Sequence, residues 1–189
     1  MTAWFKEFMR NLTTIEPIPQ VITMSFGADY TKAGIPAEVI EDEFKKLTLD
    51  HGITLISSSG DSGASGGGTE CLPADNPLNA NNQVESSPKR SPWVTVVGGI
   101  MLNKTGDSFT EMVCSAEEGC GVTSGGGFAA GGPEALYSRP AWQNKVVTEY
   151  LARNNPNTFA GFPTEETPGF NPGGRAYVEC QRVITQIHR

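Results

Sequence analysis

The residues of this chain best placed to do chemistry sit together at Gly60-Asp-Ser-Gly63, where an apolar run gives way to a glycine-rich stretch. Asp61 can accept or donate a proton, and Ser62 carries a hydroxyl that a neighbouring base could activate. The glycines let the backbone turn tightly and approach a bound group. As a serine-nucleophile turn, the segment needs a histidine base held by an all-β barrel. The only upstream histidine is His51, at the end of a predicted helix, and the surroundings alternate helix and strand. As a phosphate loop, Gly63-Ala-Ser-Gly-Gly-Gly68 has the glycines, but no lysine follows, no helix opens there, and Asp61 would repel phosphate. An ordinary strand-to-loop turn would use the same residues for their backbone preferences alone.

Other chemistry-bearing residues are sparse. Glu38 and Asp42 are four apart and share a helix face. They read as a solvated acidic first turn, favoured by the helix dipole, rather than as a catalytic pair. Four cysteines, Cys71, Cys114, Cys120 and Cys180, leave three pairings open, and Cys114 with Cys120 brackets the easiest loop to bridge. Zinc is disfavoured because no Cys-x-x-Cys occurs and the only histidines are His51 and His188. Asn11-Leu-Thr13 and Asn103-Lys-Thr105 are glycosylation sequons, meaningful only in a secreted protein. The net charge of −7 argues against a nucleic-acid partner, which would require a basic stripe. No apolar run approaches the ~20 residues of a membrane span, so no membrane partner is expected. Residues 1–12 are interrupted by Lys6, Glu7 and Arg10 and do not read as a signal peptide.

The elements that must hold the Asp61 turn follow from periodicity. Trp4, Phe5, Phe8, Met9 and Leu12 predict a short amphipathic helix over 3–12. Residues 20–26 read as a mostly buried strand, and residues 53–58 as a second. Between them, Pro36 starts a helix, Val39, Ile40, Phe44 and Leu47 give its apolar stripe, and Gly52 ends it. This is a strand–helix–strand unit, which predicts a parallel sheet. Residues 93–97 supply a third strand, and residues 100–132 read as irregular. Pro140 opens a further helix, with Trp142, Val146, Tyr150 and Leu151 expected to face inward.

Ser58-Ser-Gly-Asp-Ser-Gly63, following a strand of this kind, is similar to the sedolisin family of serine-carboxyl peptidases and its tripeptidyl-peptidase branch. Further segments resemble the family in order: Val21-Ile-Thr-Met-Ser-Phe-Gly27, Ser91-Pro-Trp-Val-Thr-Val-Val-Gly-Gly99, Ser124-Gly-Gly-Gly-Phe128, Arg139-Pro-Ala-Trp142 and Gly174-Arg-Ala-Tyr177. The resemblance implies an α/β fold with a subtilisin-like parallel sheet and flanking helices, here incomplete. It implies acid-active hydrolysis of peptide bonds through an acyl-enzyme. Asp61 would stand where subtilisins place a side-chain amide in the oxyanion hole. A carboxylate cannot donate a hydrogen bond but a carboxylic acid can, which suits acid conditions. Ser25, Phe26 and Gly27 would form one edge for an extended peptide or protein substrate. Ser58, Ser59 and Gly60 would wall the first specificity pocket, and Ser124, Gly125, Gly126 and Gly127 would line the opposite side.

The same resemblance implies what to expect elsewhere. The family's Glu/Asp pair precedes the matched segments, and its serine nucleophile lies in a Gly-Thr-Ser motif beyond them. No Gly-Thr-Ser occurs in these 189 residues. The family's calcium loop lies later still, so no cofactor or metal is expected in this chain. Residues 1–177 read as part of a peptidase domain, an internal piece of it, and residues 178–189 as a divergent tail in which Cys180 has no expected role. Family members are secreted or lysosomal and vacuolar. The rival from another class is a non-catalytic peptide-binding remnant that keeps the cleft edges.

Overall fold

The computed structural model describes residues 2–25, 35–61, 88–114, 127–128, 137–155, 157 and 172–177. Helix α1 spans Thr2–Leu12 and turns Met9 and Leu12 inward. Strand β1 (Val21–Met24), helix α2 (Ala37–Leu49) and strand β2 (Thr54–Ser58) follow in the predicted order. Strand β3 (Val94–Val97) completes a three-stranded sheet in the order β1-β2-β3, parallel throughout. The fold is therefore of the expected parallel α/β class.

Helix α2 forms because its apolar residues recur on one face, with Ile40, Phe44 and Leu47 buried. Its end is set by Gly52, whose φ of 65° lies in the left-handed region. The Ile53 N–H then reaches back over six residues to the Leu47 carbonyl at 3.0 Å, folding the chain against the end of α2. The core joins Met9 and Leu12 of α1, Ile40, Phe44 and Leu47 of α2, and Ile22, Leu55 and Val94 of the sheet. The strands alternate strictly rather than being mostly buried. Ile22, Leu55, Val94 and Val96 turn inward, while Val21, Thr54, Ser58 and Val97 are exposed. Among the described residues, helices cover one face of the sheet only, and that is why period-2 alternation replaces continuous burial.

Two further expectations are corrected. Residues 100–113 are not irregular: β4 (Ile100–Thr105) and β5 (Ser108–Val113) pair antiparallel. Thr105 faces Ser108 across a two-residue turn whose first residue, Gly106, has φ of 63°. This is the glycine-first geometry that matches strand twist in a tight hairpin. The second correction concerns α3 (Asn144–Arg153), which follows a 3-10 turn at Ala141–Gln143. Trp142 is 61% exposed and Val146 62%, and Tyr150 is exposed too, whereas Gln143 and Val147 are buried. The cause is polar. The Gln143 amide accepts from the Ala176 N–H at 3.0 Å and donates to the Ala176 carbonyl at 2.7 Å, which pins that face of the helix inward. Short strands β6 (Gly127–Phe128) and β7 (Ala176–Tyr177) pair antiparallel beside it.

Candidate functional site

The parallel sheet sends all three strand ends to one edge, where α/β proteins build their sites. At that edge β2 delivers Ser58, Ser59, Gly60 and Asp61. Ser58 is exposed and pairs with Val97. Ser59 is fully buried, and its N–H bonds the Val97 carbonyl at 3.0 Å, which extends the pairing one residue past the strand. Gly60 then takes φ of 87°, a conformation that disfavours any side chain, and the chain leaves the sheet. Asp61 stands exposed just beyond. On the neighbouring strand Met24 pairs with Ser57, and Ser25, also exposed, follows directly after β1.

Gly127 pairs with Tyr177 in the β6–β7 ladder. The structure joins that ladder to the turn through one residue. The Lys89 ammonium lies 5.5 Å from the centre of the Tyr177 ring and donates to the Ser59 carbonyl at 3.1 Å. Phe26, Gly27, Ser62, Ser124, Gly125, Gly126 and residues 178–189 lie outside the described residues. Cys114 is buried and disulfide-bonded, and its three candidate partners all lie outside them as well.

Behind the turn is a buried charged cluster that motif reading passed over. Lys89, Arg90 and Arg175 are each almost wholly inaccessible, as is Glu41. Arg175 donates to the carbonyls of Lys89, Val94 and Ala176, stapling residues 172–177 onto β3 and the segment before it. The Arg90 guanidinium lies 4.0 Å above the Tyr137 ring. Glu41 accepts a hydrogen bond from Ser91 Oγ at 2.7 Å. Burial pushes the Glu41 carboxyl up to about 7, against the opposing pull of the Ser91 hydrogen bond and the Arg90 and Arg175 charges, with a small further push from Asp42. One signal for Glu41 was present in the sequence: it precedes Phe44 by three, which places it on the apolar stripe. The exposed Glu38 and Asp42 do behave as a solvated acidic face.

Among the described residues no three acidic, histidine or cysteine side chains come together as metal ligands. Among them, too, no helix is long and apolar enough to cross a membrane.

No family model matches the chain. Among curated proteins it is 29% identical over 178 residues to tripeptidyl-peptidase 1 of Homo sapiens. It is 28% identical over 177 residues to that of Mus musculus, and 28% over 178 residues to that of Canis lupus familiaris. Each match covers 92% of this chain and 26% of the relative, so the chain spans about a quarter of the length of the curated relatives it matches.

Proposed function

Taking the chain as a sedolisin-type, tripeptidyl-peptidase-like sequence, we propose that it builds the oxyanion side of an acid-active serine peptidase site. One observation carries this reading. Asp61 stands exposed at the carboxyl edge of a parallel sheet, immediately after a left-handed glycine, in a segment that falls within the match to the tripeptidyl-peptidases.

In this reading a serine supplied outside the 189 residues attacks the scissile carbonyl, and the negative charge develops on its oxygen. Asp61, as a carboxylic acid, donates a hydrogen bond to that oxygen, a bond that forms mainly in the transition state. The substrate is a peptide or protein, extended between the Ser25, Phe26 and Gly27 edge and the segment Ser124, Gly125, Gly126 and Gly127. Ser58, Ser59 and Gly60 wall the pocket for the residue before the cleaved bond. The buried Ser59 and the positive φ of Gly60 support this, because they fix the wall rather than leave it to side-chain motion.

The chain alone is expected to hydrolyse no fluorogenic peptide between about pH 3 and 7. A chimera in which it replaces the matching quarter of a tripeptidyl-peptidase is expected to be active. Turnover by the isolated chain that vanished with Ser62→Ala would place the nucleophile at Ser62 and overturn this reading.

A further inference from the structure

The contact between α2 and residues 88–91 plays no part in the oxyanion reading, yet it touches the same turn. Glu41, 4% exposed on the inner face of α2, is tied to Ser91 Oγ, while its second oxygen, Oε1, is buried with no hydrogen-bond partner among the described residues. Ser91 is held in turn by the Trp93 N–H on its hydroxyl at 3.2 Å, and its own N–H bonds the Pro88 carbonyl at 3.0 Å. Two residues earlier, the Lys89 ammonium bonds the Ser59 carbonyl and lies 3.6 Å from where a side chain at Gly60 would begin. One short segment therefore grips α2 at one end and the Asp61 turn at the other.

We propose that Glu41, Ser91 and Lys89 form a buried relay that couples the ordering of the turn at Gly60 and Asp61 to the protonation of the Glu41 carboxyl, holding the turn in acid and releasing it above neutrality. Glu41 is here a positioning residue, since it acts on the turn only through its neighbours. The functional meaning of the relay rests on the oxyanion reading of Asp61; its structural content does not.

The groups facing Glu41 act in both directions. The Ser91 hydrogen bond, then the Arg90 and Arg175 charges, favour the carboxylate, and Asp42 on α2 itself opposes it. Both guanidiniums are also engaged elsewhere, Arg90 over Tyr137 and Arg175 on three carbonyls. Desolvation is the larger effect, so the carboxyl is neutral in acid. A neutral carboxyl keeps the Ser91 bond and leaves one uncharged oxygen unpaired. An ionised one leaves a buried charge with an orphaned oxygen, which costs far more. Above pH 7 the grip of α2 on residues 88–91 loosens, and Lys89 is drawn away from Ser59.

Amide hydrogen exchange on the full chain tests this at pH 5 and pH 8, with rates normalised to intrinsic exchange. In the wild type the peptide covering residues 54–61 should lose protection about tenfold or more at pH 8. The interval between 4.5 and about 7 bounds that loss at about 300-fold. Protection of α1 and of the β4–β5 hairpin should fall less than that of residues 54–61. Glu41→Gln, neutral at both pH values, should keep residues 54–61 protected at pH 8. Lys89→Met should lower protection there at both pH values while residues 88–97 keep their pH dependence. Equal protection of residues 54–61 at both pH values in the wild type would overturn the relay. So would a uniform loss across every element, a Glu41→Gln variant that behaves like the wild type, or a Lys89→Met variant without effect. None of these readouts needs turnover, so the relay can fail while the oxyanion reading stands, and the reverse.

Discussion

Asp61 and Glu41 are two carboxyl groups that one small sheet places in opposite surroundings. Asp61 is exposed beyond the sheet edge, where a bound carbonyl could reach it. Glu41 is sealed on the inner face of α2 against Ser91. The burial of Glu41 has a consequence for stability with a definite sign. Its folded pKa of about 7 is above the ordinary 4.5, so the folded chain holds this proton more tightly than the unfolded chain does. The stabilisation from the bound proton is fully present below about pH 4.5 and is lost as pH rises toward 7. The shift corresponds to about 3 kcal/mol. Urea unfolding should therefore show falling stability from pH 4.5 to 7.5, and Glu41→Gln should remove most of that slope. The carboxyl was readable as a position on the apolar stripe of α2. Its pairing was not, because Ser91 lies fifty residues away in sequence and only the sheet brings it near.

At the scale of elements, a helical stripe between short apolar runs was enough to place β1, α2, β2 and β3 and their parallel order, although the strands alternate where continuous burial was expected. The β4–β5 hairpin was legible in principle: Thr105-Gly-Asp-Ser108 is a two-residue glycine-first turn between runs of strand-forming residues. Helix α3 was misread in phase because hydrophobicity alone put Trp142, Val146 and Tyr150 inward. A buried glutamine clamp on Ala176 decides the matter instead, and no periodicity rule weighs a polar clamp of that kind. The corrected phase predicts an asymmetry between adjacent valines. Val147, 4% exposed, should cost about 1.5 kcal/mol on Val147→Ala, the loss of two buried methylene equivalents. Val146→Ala should change the thermal midpoint little. Equal effects at the two sites would contradict the orientation of α3.

For the whole molecule, the sheet is covered on one face among the described residues, and its other face presents Val21, Thr54, Ser58 and Val97. Parallel sheets are ordinarily covered on both faces. That observation sits with a match that takes in about a quarter of each relative's length. The turn at the end of β2 was legible because glycine and aspartate favour the backbone that ends a strand. The cluster of Lys89, Arg90 and Arg175 behind it was not, because long charged side chains are ordinarily expected at the surface. The central claim, that Asp61 donates to the oxyanion, is tested most directly by steady-state kinetics at acid pH on the tripeptidyl-peptidase chimera carrying Asp61→Ala or Asp61→Asn, with thermal stability measured alongside. Asp61→Ala should lose on the order of 100- to 1,000-fold in kcat with little change in KM, while Asp61→Asn keeps more activity and loses less of it as pH rises. An Asp61→Ala chimera with normal kcat and lowered thermal stability would show that Asp61 only caps its turn, and would contradict the account.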